Sequence, residues 1–417
     1  MNAVSDIANI TGAVDEARLG TLVGDLAAFG ARPDGGVDRQ ALTPEDFKSR
    51  RFLVDLARSY GAQAYRDSIG NLFFRRPGQD ADAAPVVTGS HADSQPTGGR
   101  LDGAYGVCAG LEVLAALADS GVAHRRPIEV AVWTNEEGCR FAPGSMGASA
   151  FTEPSLLDGF LATADTTGRT VGEELAEADP LFADVPLRPL GTPVHAFVET
   201  HIEQGPVMAD AGVTIGVVRG IQGTRWYEIT VDGIAAHAGS TPRANRQDAL
   251  RAATEIATGV YAAFDAGDER LRMTIGRLTV GPGSVNVVPE QVRMTVDVRH
   301  PEEAVLDAVE ERLRELTAAH AGRARLERTM AMPPTGFDGR IRDTVREAAR
   351  DLKLSAMEID SGAFHDSLHL ARHCPTGMIF VPSVDGLSHN PAEHTALSDL
   401  AAGTRVLAAS LIRLAQN

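Results

Sequence analysis

An α/β fold interrupted by a smaller α+β layer is predicted for this chain on three observations. Hydrophobic, β-branched runs alternate with helical segments up to about residue 211. Four such runs stop at side chains able to ligate a metal. From residue 224 the pattern changes to β-α-β-β-α-β, the order of a split βαβ unit. A length of 417 residues exceeds the usual reach of one core, so two domains are expected. The predicted partition is a catalytic domain over 1–212 and 331–417, its mostly parallel sheet flanked by helices, and an inserted ferredoxin-like domain over 213–330.

In chain order, helical patterning over 16–29 and 44–59 opens the catalytic domain. The run Pro85-Val86-Val87-Thr88-Gly89-Ser90 stops at His91. The glycine-rich loop Gly98-Gly99-Arg100-Leu101-Asp102-Gly103 follows, and 106–118 reads as a helix of small and apolar residues. The strand Ile128-Glu129-Val130-Ala131-Val132-Trp133-Thr134 stops at Asn135-Glu136-Glu137, and 195–200 delivers His201. The polar stretch 165–184 reads as a mobile loop. In the insert, strands over 226–231, 272–280, 291–298 and 324–329 alternate with helices over 247–264 and 302–320, a layer suited to act as a lid. The catalytic pattern resumes near 333, and 378–382 leads through a Gly-containing turn to His389. Ligands collect outside the carboxyl ends of strands in open α/β sheets, so these runs can aim their terminal side chains into one crevice.

Imidazole nitrogens and carboxylate oxygens suit zinc, manganese or cobalt. His91, Asp102, Glu137, His201 and His389 are more ligands than one tetrahedral catalytic zinc uses. A bridging Asp102 resolves the excess: one ion takes His91 and His201, the other Glu137 and His389, about 3.5 to 4 Å apart. Consecutive side chains of an extended backbone point to opposite faces. One of the pair should then bind metal and the other face the attacking water; Glu137 is assigned to metal, and Glu136 to the water as general base and later acid. Asp93, two residues after His91, is the expected partner that orients its imidazole.

Composition narrows the classes. A net charge of −17 argues against nucleic acid and anionic membranes as partners. Cys108, Cys139 and Cys374 form no disulfide pattern, the start lacks the basic and apolar regions of a signal peptide, and no run of 18 apolar residues occurs. A cytoplasmic protein is expected. His124, His195, His300, His320, His373 and His394 lack a ligand-like setting, whereas His365-Asp366 is a candidate pocket lining.

These segments, with Glu199-Thr200-His201-Ile202-Glu203-Gln204-Gly205-Pro206 and Ala236-His237-Ala238-Gly239-Ser240-Thr241-Pro242, resemble the aminoacylase/carboxypeptidase superfamily of dinuclear metallohydrolases. The resemblance is narrower to its hydantoinase/carbamoylase branch, since His201 stands where the peptidases usually carry Asp or Glu. It implies the same five ligands with Asp102 bridging, Glu136 as base, and Gln204, His237, Asn286 and Arg299 binding substrate. It further implies a homodimer joined through the insert, with His237 reaching the partner's site. A lid histidine can stabilise an oxyanion, and Arg299 can hold a carboxylate bidentately. The expected reaction is hydrolysis of an N-carbamoyl-L-amino acid to the amino acid, carbon dioxide and ammonia. Rivals are β-ureidopropionase, allantoate or ureidoglycolate amidohydrolase, a peptidase or N-acyl deacylase, and a non-catalytic sensor, against which the intact Glu136 counts. The chain departs from the family pattern at Phe364, where Gly is usual, at Leu368 and His369, and at Cys139, where Ser is common.

Overall fold

The computed structural model describes residues 3–265, 267–320 and 322–416. They form two compact units, 1–219 with 336–417, and 220–335. The boundary expected after 212 moves because strand Ile215–Ile221 pairs antiparallel with Thr376–Val381 in the larger sheet, and the one expected after 330 because Ala324–Met332 pairs with Gly223–Asp232 in the smaller one.

That sheet has nine strands and is mixed, where a mostly parallel one was expected. Its centre is parallel: Ile128–Trp133, Val86–His91, Ala196–Ile202 and Thr376–Val381 lie side by side in that order. Every residue of these four strands is buried, as required of parallel strands covered on both faces. The antiparallel parts are at the flanks, in the hairpin Gln63–Arg66 with Leu72–Arg76 and in Ile215–Ile221.

One face is covered by helices Glu16–Ala27, Ala104–Ser120 and Leu397–Gln416, whose apolar residues share a core with Val86, Val130 and Val198. On the other face Phe73, Trp133 and Phe151 meet with ring centroids 5.4 to 5.6 Å apart. Such aromatic pairs contribute about 0.5–1.5 kcal/mol beyond their area. Because the central strands run the same way, His91 aligns with Trp133, and His201 with Phe380. All four chains therefore leave the sheet at one edge.

The second unit follows the predicted β-α-β-β-α-β order. Its antiparallel sheet runs Ala324–Met332, Gly223–Asp232, Gln291–His300, Arg272–Gly281, and helices Ala249–Phe264 and Glu303–Ala318 bury Ile256, Val260, Leu306 and Leu313 with it. Among the described residues no helix is long and apolar enough to cross a membrane.

The stretch 165–184 is not irregular throughout. It contains helix Val171–Ala178, started by a capping box in which the Thr170 side chain accepts the Glu173 amide while Glu173 accepts the Thr170 amide. The Thr-x-x-Glu spacing was the available signal, masked by the polar composition around it. Thr170→Ala should weaken this helix by about 1 kcal/mol, read as roughly fivefold faster amide exchange across 171–178, and Thr170→Ser should restore it.

Candidate metal centre

Asp102 sits at the middle of the strand-end edge, on the glycine loop that enters helix Ala104–Ser120. Its Oδ1 lies 3.2 Å from His201 Nε2 and 3.7 Å from His91 Nε2. Its Oδ2 lies 3.1 Å from His389 Nε2, which is 3.4 Å from Glu137 Oε2. Ligand atoms of His91, Asp102 and His201 all fall within 4.8 Å of one another, as do those of Asp102, Glu137 and His389. The structure thus brings together all five sequence-selected side chains, in two groups that share Asp102. Nitrogen and carboxylate donors in threes are the donor chemistry of divalent metal sites.

Several hydrogen bonds set these groups. His91 Nδ1 lies 2.9 Å from the Asp93 carbonyl and His201 Nδ1 2.9 Å from the Ile202 carbonyl, which in the Nδ1–H tautomer turns both Nε2 atoms toward the Asp102 loop, where His201 Nε2 accepts the Gly103 amide at 3.0 Å. Asp93 therefore orients His91 through its backbone, not through its carboxylate, which stays 3.9 Å away. That carboxylate instead accepts the amides of Glu136 and Glu137, at 3.3 and 3.2 Å.

The glutamates diverge for a reason other than strand alternation. Asn135 is left-handed, with φ 54°, and turns the chain before Glu136. Its side chain stabilises the turn by donating to the carbonyls of Phe141 and Pro143. Glu136 Oε2 then lies 3.6 Å from His91 Nε2, while Glu137 accepts both the amide and Nε2 of Gln95. Gln204 and His389 are also left-handed, at φ 58° and 53°, a strain of about 1–3 kcal/mol each that clusters at functional sites.

Charge follows geometry. Burial raises the Glu136 carboxyl well above its usual range, and Asp366, Glu137, Asp93 and Asp102 raise it further. Burial and Asp102 push Glu137 up to about 7. Asp102 resists burial and stays well below the usual carboxylate range because His201 and His389 hydrogen-bond to it. Burial opposes a charged His201, but Asp102 outweighs it and lifts the imidazole to about 9. The same carboxylate lifts His389 to about 9.

Beside this centre, Gln204 Nε2 donates to Asp102 Oδ2 at 2.9 Å, while its Oε1 is buried without a partner. His365 packs edge-on against His201, ring centroids 4.5 Å apart, and contacts Ser361 Oγ. Glu199, His201 and His365 also cluster closely, but the Glu199 oxygens are already taken by Ser90 Oγ and by the amide and hydroxyl of Ser367. We read that cluster as packing. Leu368 is buried, and His369 lies 3.2 Å from Ser149 Oγ. Gln95, Ser388 and Glu393 belong to the centre and were missed in the sequence. The last two stand beside His389, where proximity to a ligand was the available signal.

His237, Asn286 and Arg299 lie in the second unit. His237 pairs with Val287 in a short ladder, and the Ala238 amide donates to the Asn286 carbonyl, so these two are neighbours. Arg299 is paired with Asp297 at 2.9 Å and aligns with Thr224, at the opposite end of the strand from Gln291. At about 3.3 Å per residue this separates it from the His237–Asn286 end by on the order of 25 Å. Arg299 and Asn286 therefore do not meet at one substrate group within one chain.

Gly103 makes a close approach in the centre: at φ +63°, a Cβ would lie 2.3 Å from the His91 ring. Gly121, at φ +62°, has nothing within 4 Å of the same position. Gly121→Ala should cost about 1–2 kcal/mol for the left-handed backbone, and Gly103→Ala about 1–3 kcal/mol more for the clash. Denaturant unfolding of the two variants checks the difference.

The geometry has counterparts among known proteins. Residues 87–413 match the model of the peptidase family M20/M25/M40. The N-carbamoyl-L-amino-acid amidohydrolase of Rhizobium meliloti is 37% identical over 97% of either chain. The allantoate amidohydrolase of Bacillus subtilis is 33% identical, covering 94% of this chain and 95% of the relative. A crystal structure of a hydantoinase/carbamoylase family amidase from Burkholderia multivorans superposes with a TM-score of 0.90 at 44% identity, covering 97% of this chain and 98% of its own. With the shared sheet and inserted unit matched over nearly the full length, the chain belongs to the M20/M25/M40 peptidase family and, within it, to the hydantoinase/carbamoylase amidases.

Proposed function

We propose that this chain is a dinuclear metal-dependent amidohydrolase that cleaves N-carbamoyl-L-amino acids to the amino acid, carbon dioxide and ammonia. The observation that carries the reading is the divided carboxylate of Asp102, with Oδ1 toward His201 and Oδ2 toward His389. His91, Asp102 and His201 would hold one ion, and Asp102, Glu137 and His389 the other. Two divalent ions there, zinc, manganese or cobalt, would supply Lewis-acid polarisation of the scissile carbonyl.

The remaining steps fall to the chain's own groups. Glu136, its proton affinity raised by burial and by acidic neighbours, takes the proton of the attacking water and returns it to the leaving nitrogen. Asp93 fixes the directions of Glu136 and Glu137 by holding both amides. Gln204 offers its unmatched Oε1 to the carbamoyl NH2. Arg299 receives the substrate carboxylate, a fork it already makes with Asp297. His237 serves the oxyanion, with Asn286 beside it.

The separation between Arg299 and the His237–Asn286 pair supports a homodimer. A carbamoyl amino acid is far shorter than the lid sheet, so one site using all three draws His237 and Asn286 from one chain and Arg299 from another. The B. subtilis relative keeps a second substrate in view, since allantoate also carries a ureido group.

Ammonia release should be fastest with N-carbamoyl-L-amino acids, in a panel that includes N-carbamoyl-β-alanine, allantoate and N-acetyl amino acids with zinc, manganese or cobalt supplied. Faster release from allantoate would reassign the substrate. Glu136→Gln should lose about 10²- to 10⁴-fold in kcat while two ions per chain remain by elemental analysis. His237→Ala and Glu136→Gln chains should each be inactive alone and recover activity after subunit exchange. Inactive heterodimers, verified by mass, would place His237 in its own chain's site.

A further inference from the structure

Glu393 has no part in the chemistry above, yet it is built into the centre more tightly than several residues that do. It is 3% exposed, four positions after His389. Its Oε1 accepts the amides of Leu101 and Asp102, at 2.7 and 3.2 Å. Its Oε2 lies 3.1 Å from Ser388 Oγ, and that hydroxyl is 2.9 Å from Asp102 Oδ2. The glycine loop folds directly over it: a Cβ on Gly99 would stand 2.2 Å from the Glu393 carboxyl.

We propose that Glu393 is the positioning residue for Asp102, clamping the loop that carries the shared carboxylate to the turn that carries His389. The loop needs such a clamp. With glycines at 98, 99 and 103 it has more backbone freedom to lose than an ordinary segment, and the amides of Leu101 and Asp102 are buried donors that must be matched. Glu393 matches both with one oxygen and approaches the carboxylate itself through Ser388 with the other. Two distant stretches of chain, 292 residues apart, are thereby locked at a spacing that fits both metal groups. Glu393 does not serve as a ligand, because Oε1 is occupied by the two amides and Oε2 is turned to Ser388.

This inference rests on the dinuclear reading, and the test separates the two. Mn2+ would be titrated calorimetrically into metal-free parent, Glu393→Ala and Glu393→Gln. Ammonia release would be measured at saturating Mn2+, and folding checked by thermal melts in chelator. The parent should take up two ions. Glu393→Ala should bind both about 10- to 100-fold more weakly and lose kcat by a similar factor, with substrate KM nearly unchanged. Glu393→Gln retains an oxygen for the two amides and should recover most of the loss. A folded Glu393→Ala with parent-like affinity overturns the clamp, and so does Glu393→Gln failing as completely as Ala. Should Glu393→Ala not fold, Gly99→Ala decides: its added methyl displaces the carboxyl, so weakened binding of both ions supports the clamp and parent-like binding refutes it. A parent that never holds two ions overturns the dinuclear reading itself.

Discussion

Asp102 has to satisfy two sets of neighbours with one side chain, and much of the surrounding architecture exists to make that placement possible. Its oxygens face His201, on the strand Ala196–Ile202, and His389, on the loop after Thr376–Val381, while Gln204 and Ser388 converge on Oδ2. A displacement that improves one group worsens the other. The carboxylate also sits at the start of the buried helix Ala104–Ser120, where the unpaired amides and the dipole favour an anion. The next residue must be glycine, because the His91 ring fills the space of a side chain. Parallel strands, helix start, glycine loop and imidazole packing are thus parts of one positional requirement.

The second requirement is charge. Asp93, Asp102, Glu136, Glu137, Asp366 and Glu393 are gathered in a small, mostly buried volume, where carboxylate oxygens meet backbone amides, Gln95, Gln204, Ser388 and histidines. None of these partners is a guanidinium or an ammonium. Burying carboxylates this way is costly unless positive charge is supplied. The lift of the His201 and His389 imidazoles to about 9 beside Asp102 is one sign of that demand. Divalent cations fit the same demand. Asp366, whose oxygens have no partner, shows how far the acidic excess extends behind Glu136.

The sequence made four of the five ligands legible because they follow hydrophobic runs that are long and unambiguous, and Asp102 because it closes a glycine-rich loop before a helix. The inserted unit was legible for the same reason: its periodicity changes at one point and changes back. What escaped is set by contacts between distant stretches. Nothing local shows that the Asp93 carboxylate turns away from His91 toward the Glu136 and Glu137 amides, or that Glu393 crosses to the loop at 101–102. The strand-alternation argument separated the two glutamates by the wrong mechanism, since the left-handed Asn135 ends the strand before them. The place of Ile215–Ile221 in the larger sheet was hidden because a strand's pairing partner is not written in its own composition.

The strand Thr376–Val381 lies between Ala196–Ile202 and Ile215–Ile221, although it follows both by the whole length of the inserted unit. During synthesis the insert is contiguous and can fold as soon as it emerges, since domains generally fold as units. The main sheet at that stage has an open slot, bordered by two wholly or largely apolar strand edges with unpaired backbone groups. Such edges are templates for pairing with other chains, and closing the slot requires a contact of large sequence separation, which is slow. The nascent chain is therefore most vulnerable to aggregation after its insert is complete and before the strand Thr376–Val381 leaves the ribosome. Its need for a chaperone would be concentrated in that interval.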